Sequence, residues 1–488
     1  MVSRAGRTDV VGVSVPTGLF VGGVWRRAAG AFTVDDPATM HPLAEVADGS
    51  VTDALAALDA AHAAQDAWGR TAPRERAEVL RRAFDEVVRR TDDFAAVITA
   101  EMGKPLAEAR GEVAYGAEFL RWFAEQTAHV HGDFGTAPSG AFHVLTTKRP
   151  VGPSYLVIPW NFPLAMGTRK IGAALAAGCT VVLKPAAQTP LTSALLVEVL
   201  EAAGVPAGVV NLVPTTDAAA QSAALMADPR LRKVSFTGST GAGRTLLRQA
   251  ADQVLRTSME LGGNSPFIVL EDADVDAAVE GAMLAKFRNG GESCVAANRF
   301  IVHAAVAEEF TARFVERVEA LVPGPGADPT TTIGPLIDAR SVEKVDALVQ
   351  AAVSDGAVVR AGGSRVEGAG YFYRPTVLTD VAPGSRISGE EVFGPVAPIT
   401  VVGSEDEAVA LANATQYGLA AFVYTRDVAR ALDLGTRIEA GMIGVNRGLV
   451  SEAGAPFGGV KQSGLGREGG HVGIEEYLET VYLAVDRS

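Results

Sequence analysis

The stretch YLVIPWNFPLAMGTRKIGAALAAGCTVVLKPAAQTP, Tyr155 to Pro190, decides the fold. Two short apolar runs, YLVI and TVVL, flank RKIGAALAAG, whose Ala- and Leu-rich composition predicts a helix. Strand, helix, strand is the unit of a parallel sheet, because parallel neighbours need a crossover and the crossover helix covers a sheet face. Outward from this unit the pattern repeats. VVNLVP and KVSFTG read as further buried strands, with SALLVEVLEAAG and DAAAQSAALMA as the helices between them. Alternation of this kind argues an α/β fold in which ligands bind beyond the carboxyl ends of the strands. The polar and Gly-rich motifs fall at those ends: PWNFP after YLVI, KPAAQTP after TVVL, and GSTGAG after VSFT.

On the N-terminal side, Thr52 to about Gln126 has apolar residues spaced as in helices, with a break at Gly103 and Pro105. FHVLTTKRPVGP then alternates apolar and polar residues as an exposed strand or hairpin does. Beyond MELGGNSP a second α/β unit begins, with FIVL, VDAAVEGAMLAKF, a loop around Cys294, and RFIVH. The chain closes on EEVFGPV, the Gly-rich PFGGVKQSGLGREGG and the strand-like YLETVYLAV.

Composition narrows the function. At 488 residues, 48% hydrophobic and 20% charged, the chain can build two or three cores. A formal charge of −14, with no basic run to override it, disfavours nucleic acid. Two distant cysteines and seven scattered histidines predict neither a disulfide framework nor a metal site, as expected of a cytoplasmic protein. The N-terminal MVSRAGRTDVVGVSVPTGLFVGG is interrupted by polar residues and Pro16, so no signal peptide is expected. The longest apolar run, Ile171 to Leu183, falls short of the roughly 20 residues that a bilayer span needs. The expectation is a soluble protein without a membrane partner.

Three motifs carry chemistry. GSTGAGRT, Gly238 to Thr245, lies between a strand and a helix, where glycines let backbone N–H groups approach a phosphate. Its spacing nearly fits a P-loop, with FIVLED downstream, which raises a nucleotide triphosphatase as a rival. Arg244 stands where that motif needs lysine, and a forked guanidinium does not replace a compact ammonium. In FRNGGESCVAANRF, Phe287 to Phe300, Cys294 follows a helix in a polar Gly-rich loop, where a thiol is either a nucleophile or an inert small hydrophobe. Cys179, inside GCTVVL, reads as the inert kind. Glu260, in MELGG, stands between apolar residues and a Gly pair at a strand end; a lone glutamate is usually a solvated surface residue, and this setting suggests instead a buried carboxylate suited to act as a base.

PWNFP, LKPA, FTGSTGAG, ELGG, ESC and EEVFGPV, in this order, give the chain from about Leu19 to Val485 a resemblance to the aldehyde dehydrogenase superfamily. WNFPLAMGTRKIGAALAAGCTVVLKPAAQTP, KFRN and PFGGVKQSGLGREGG followed by GIEEYLE are most similar to succinate-semialdehyde dehydrogenases. The resemblance implies a Rossmann-like cofactor domain (1–125 and 148–258), a catalytic α/β domain (259–455) and a small β oligomerisation element (126–147 and 471–488). It implies Cys294, ionised to a thiolate, as nucleophile, Glu260 as the base that activates water, and Asn161 with the Cys294 N–H as oxyanion donors, without a metal. Cofactor contacts implied in the same way are Ile158, Pro159, Trp160, Asn161, Lys184, Pro185, Ala186, Ala187, Gly238, Ser239, Leu261, Glu391 and Phe393. Arg169, Arg288 and Ser451 match positions that bind the distal carboxylate of a short semialdehyde. A homodimer or homotetramer is implied, and the exposed strand edge near YLAV points the same way.

Several positions refine this picture. Ala187 stands where many NAD-preferring relatives carry a glutamate that would repel a 2′-phosphate, so NADP is the expected cofactor, with NAD as the alternative. Glu292 replaces the usual glutamine two residues before the nucleophile; facing the thiol it would raise its pKa, so it is expected to point away or be paired. Ala296 replaces the second cysteine of some relatives, which removes a disulfide switch. Arg447 replaces an acidic residue, near Ser451 in sequence, and puts the charge of the substrate mouth in question. The expected reaction is NAD(P)-dependent oxidation of succinate semialdehyde, with glutarate semialdehyde or an aldehyde without a carboxylate as alternatives. The rivals from other classes are the triphosphatase and a catalytically silent dinucleotide-binding protein.

Overall fold

The computed structural model describes residues 6–487. An eight-stranded sheet holds, in order, Gly464–Leu465, Arg256–Glu260, Lys233–Thr237, Ser154–Val157, Val181–Lys184, Val210–Leu212, Leu19–Val21 and Val24–Arg26. The five strands from Arg256–Glu260 to Val210–Leu212 are mutually parallel. Their residues are buried almost throughout, which explains why they read as unbroken apolar runs rather than as alternating ones. Helices Pro163–Ala177, Pro190–Ala202, Ala218–Ala227 and Thr240–Gln253 are the crossovers. Helix Pro163–Ala177 has proline in its first turn and ends on Gly178 at φ 89°, in the left-handed region that glycine adopts at least cost.

Ser154–Val157 is the topological switch point. The next strand in sequence, Val181–Lys184, pairs on one side of it and Lys233–Thr237 pairs on the other. The loops leaving Val157 and Thr237 therefore diverge and open a crevice.

Four helices, Val51–Arg70, Pro73–Arg89, Thr91–Met102 and Leu106–Gln126, occupy the segment that the sequence assigned to helix. Gly103 ends the third at φ 94°. The N-terminal strands were not anticipated, although LFVGGVW holds their signal. Gly22 and Gly23, at φ 63° and 81°, form the two-residue turn between Leu19–Val21 and Val24–Arg26.

A second sheet holds seven strands, in the order Val358–Ala361, Thr376–Thr379, Val396–Val402, Ala297–His303, Ser265–Val269, Ala420–Tyr424 and Met442–Val445. All its pairings are parallel except that of Val358–Ala361. Phe267, Phe300, Phe310, Phe314, Phe422 and Tyr424 pack together beneath it. The third sheet joins the C-terminal strand Leu478–Asp486 to Phe142–Pro150, which also pairs with Phe134–Thr136. Leu478–Asp486 leaves one edge of this sheet open, with Tyr482, Leu483 and Val485 exposed.

One pairing stitches the units together at the crevice. Gly464–Leu465 adds to Arg256–Glu260 with Glu260 opposite Gly464. The strand Arg256–Glu260 itself crosses the boundary expected after residue 258, so Glu260 is delivered by the first sheet.

Candidate active site

Pro159, Trp160, Asn161, Phe162 and Met166 from the loop and helix after Val157 line a cavity of about 260 Å³. Thr237, Gly238 and Ser239 line it from the next strand end, Glu260, Leu261 and Gly262 from the third, and Cys294, Glu391 and Phe393 from the second α/β unit. Of the residues singled out in the sequence, Cys294, Glu260 and Asn161 thus share one cavity. Trp160, Gly238, Ser239, Glu391 and Phe393 share it with them.

Local backbone chemistry explains how the thiol gets there. Helix Val275–Phe287 ends, and Asn289, Gly290 and Gly291 follow at φ 58°, 62° and 76°. Asparagine and glycine tolerate that region, so RNGG turns the chain sharply before Cys294. A Cβ at Gly291 would lie 2.3 Å from the Gly394 carbonyl oxygen, and one at Gly263 would lie 2.1 Å from that of Cys294. Those two glycines let neighbouring backbones close on the Cys294 loop. Phe393, at φ 54°, is a non-glycine residue in the same left-handed region, and its ring meets Trp160 edge to face at 5.3 Å.

Cys294 is partly buried, whereas Cys179 is fully buried. Burial pushes the Cys294 thiol up to about 12, against the opposing pull of the Arg169 guanidinium. The thiol is therefore protonated at neutral pH in the protein alone, contrary to the ionised sulfur expected of a waiting nucleophile. Glu260 is raised well above the ordinary carboxylate range, first by burial and then by the negative charge of Glu468. For Glu468 burial acts upward too, but the Lys170 ammonium and the Arg169 guanidinium outweigh it and hold the carboxylate low. Glu468 keeps the charge and Glu260 keeps the proton. Lys170 and Glu468 were not picked out from the sequence, although both stand in quoted blocks, because nothing in the sequence shows that packing brings them together beside Glu260.

Asn161 donates one Nδ2 hydrogen to the Glu292 carbonyl at 2.9 Å, and its Oδ1 has no partner among the described residues. Glu292 points away from the thiol: its Oε1 accepts the Ile337 N–H at 3.1 Å. Burial raises its carboxyl well above the usual range, so it brings little negative charge to the loop.

The remaining cofactor positions lie along the strand ends. The Ile158 N–H donates to the Lys184 carbonyl at 3.1 Å, which sets the Pro185, Ala186 and Ala187 turn beside PWNFP. Lys184 is buried with no ion-pair partner among the described residues, and burial lowers its ammonium to about 8. Glu391 accepts the Gly263 N–H at 3.0 Å, and burial raises it to about 6. A Cβ at Gly262 would stand 2.7 Å from its Oε2. GSTGAG is less of a loop than the sequence suggests. Ser239 caps the helix Thr240–Gln253, so Gly241 and Gly243 already lie in its first turn.

The proposed substrate residues divide. Arg288 and Ser451 line a second cavity of about 450 Å³ with Tyr115, Phe162 and Leu449. Arg169 does not line it; its Nε lies 2.6 Å from a Glu468 oxygen, and its Nη1 has no partner. Its guanidinium also sits 4.2 Å over the Phe457 ring. Arg447 is exposed and lines neither cavity, so its proximity to Ser451 in sequence does not carry into the mouth of this cavity. Tyr115 and Phe162 escaped the sequence reading because each looks like ordinary core.

This constellation of thiol, carboxyl and amide at the crevice of an α/β sheet matches known proteins across nearly the whole chain. The aldehyde dehydrogenase family matches residues 25–483, and the chain belongs to that family. It is 58% identical to a succinate-semialdehyde dehydrogenase of Paenarthrobacter nicotinovorans, over 91% of this chain and 98% of that one. It is 48% identical to a protein of Sinorhizobium fredii named a probable NADP(+) succinate-semialdehyde dehydrogenase, over 93% and 92%. The crystal structure of succinate-semialdehyde dehydrogenase from Burkholderia pseudomallei superposes with a TM-score of 0.95 at 45% identity, over 97% and 98%. Membership of this family sets the triphosphatase reading aside.

Proposed function

We propose that the protein oxidises succinate semialdehyde to succinate with NADP, NAD serving as the alternative cofactor. The observation that carries the proposal is the meeting of Cys294, Glu260 and Asn161 in one cavity, next to a second cavity that contains Arg288 and Ser451. The names of the relatives favour the same substrate.

The residues present fit a dinucleotide. Lys184 is a buried cation without an acid, suited to a ribose or its 2′-phosphate, and Ala187 offers no carboxylate to repel that phosphate. The unpartnered Thr237 Oγ1, Gly238 and the helix that starts at Thr240 suit a pyrophosphate, and Glu391 suits the second ribose. When bound, the nicotinamide supplies the hydride acceptor that turns a thiohemiacetal into a thioester.

Everything else falls to the chain. Cys294 gives up its proton as its sulfur attacks the aldehyde carbon, and Glu260 in its carboxylate form is the acceptor in reach of the same cavity. The oxyanion forms beside the second Nδ2 hydrogen of Asn161 and the backbone N–H of Cys294. Glu260 releases that first proton to solvent, and in the second half-reaction its carboxylate takes a proton from water as that water attacks the thioester carbon. The carbon–sulfur bond breaks, the acid leaves, and the thiol recovers its proton.

Arg288, with Ser451, recognises the distal carboxylate, so an anionic tail selects the substrate, while Arg169 stays buried against Glu468. The open edge of Leu478–Asp486 pairs with another subunit in a dimer or tetramer, and a cytoplasmic location completes the reading. The test is cofactor reduction with NADP and NAD over aldehydes that end in carboxylate, sulfonate or methyl. Arg288→Ala is expected to raise KM for the carboxylate aldehydes about 10–100-fold and leave methyl-ended ones within about threefold. Equal losses for both kinds would overturn the carboxylate assignment and leave the chemistry intact.

A further inference from the structure

Lys104 in the turn Gly103–Pro105 and Glu112 on the following helix form a buried ion pair whose contacts lead to the segment Asn161–Ala165. Lys104 Nζ lies 2.5 Å from Glu112 Oε2, with the two side chains 1% and 0% exposed. Such a pair is weak evidence for stability, because desolvation offsets the attraction, so its use is sought in what else it binds. Lys104 Nζ donates to the Asn161 carbonyl at 2.8 Å and sits 4.1 Å over the Phe162 ring. Glu112 Oε1 accepts the N–H groups of Leu164 and Ala165, at 2.9 and 3.3 Å, at the start of helix Pro163–Ala177. These are amides that a helix start leaves without partners. One ion pair therefore fixes residues 161, 162, 164 and 165.

The other side of Asn161 is fixed as firmly. Asn289 Nδ2 donates both to the Asn161 carbonyl, at 3.1 Å, and to the Glu292 carbonyl, at 3.0 Å. The Asn161 amide also donates to the Glu292 carbonyl. The oxyanion amide is thus registered to a point two residues before Cys294.

Nor can the turn relax. A Cβ at Gly326 would lie 2.3 Å from the Lys104 carbonyl oxygen, and one at Gly334 would lie 2.2 Å from that of Gly103. The geometry points to Lys104 and Glu112 as positioning residues that, opposite the Asn289 amide, hold the Asn161 amide in register with the nucleophile loop. This rests on Asn161 acting as the oxyanion donor. The pair is neutral as a unit, so its effect is placement and not added charge, and a displacement near 1 Å is enough to slow a reaction about a hundredfold.

The double variant Lys104→Met/Glu112→Gln removes both charges and keeps an acceptor for the helix amides. It is compared with the parent, and with the same pair of changes in an Asn161→Ala background, by the pre-steady-state burst of reduced cofactor and by KM for the aldehyde. The burst is expected to slow roughly 10–100-fold, with KM within about threefold. In the Asn161→Ala background the further loss is expected to shrink to less than about threefold, because the amide being positioned is gone. Lys104→Arg, which keeps a donor and a charge, is expected to recover most of the burst. Equal losses in both backgrounds, or a raised KM with an unchanged burst, would overturn the proposal. If Asn161→Ala alone bursts at the parental rate, the oxyanion assignment fails and the positioning role falls with it; that arm changes neither Lys104 nor Glu112, so the two failures are distinguishable. Asn289→Gly, which tolerates the left-handed backbone, repeats the test from the other side should the double variant fail to fold.

Discussion

Cys179 and Cys294 differ in access and surroundings much more than in acidity. Burial raises both thiols above their ordinary value. Cys179 is sealed among the helices and strands of the first sheet, and its thiol donates to the Tyr477 carbonyl at 3.3 Å. Cys294 faces a cavity that also holds a carboxyl able to accept its proton and an amide able to receive an oxyanion. Thiol acidity does not distinguish nucleophile from filler here. The distinction lies in whether a carbonyl can arrive and whether a base arrives with it.

The largest expected effect follows directly. Cys294→Ala should lower cofactor reduction at least about 10⁴-fold, since no other group in the cavity can form the thioester. Iodoacetamide followed by peptide mass spectrometry should mark Cys294 and spare Cys179 in the native protein. Alkylation of Cys179 at a comparable rate would break the comparison, because it would mean that the sealed site opens as readily as the cavity.

The second test concerns the proton. Burial raises both Cys294 and Glu260 above their ordinary values, and both reactive forms become more populated as pH rises. The sign is therefore upward: kcat/KM for the aldehyde should climb from pH 6 to 9 rather than form a bell centred near 7. Glu260→Gln should reduce steady-state turnover about 10²–10⁴-fold through loss of general-base catalysis. The acyl-enzyme should then accumulate, visible as added mass on Cys294. Turnover that survives with no accumulation would move the base elsewhere, with the Lys170 and Glu468 pair the first place to look.

These contrasts also mark what the sequence could and could not express. Buried parallel strands announce themselves because both faces are apolar, and YLVI, TVVL and VSFT were legible for that reason. That Cys294, Glu260 and Asn161 share one cavity was legible because the quoted blocks surround them. Lys104, Glu112 and Glu468 were not, because a charged residue on a helix or loop reads as a solvated one until tertiary packing buries it. Gly103 and Pro105 marked a helix break, yet the lysine between them was silent. Protonation was equally hidden: the sulfur read as ionised, and only its surroundings reveal that it carries a proton. Arg169 is the mixed case, readable as a cation and unreadable as one already engaged by Glu468.

The smallest effect sharpens the comparison from the other side. Cys179 fills a site where the Ala174 carbonyl already accepts its backbone N–H, and it is fully buried. Cys179→Ala should leave kcat and KM within about twofold, because the side chain touches no part of the cavity. It should still lower stability by about 1–2 kcal/mol, since the lost sulfur leaves a small void and the Tyr477 carbonyl loses a weak donor. Denaturant titration reads that loss as a lower midpoint at unchanged slope. A changed slope would mean that the substitution alters how much surface unfolding exposes, and a fall in kcat with parental stability would give Cys179 a role in catalysis that its burial argues against.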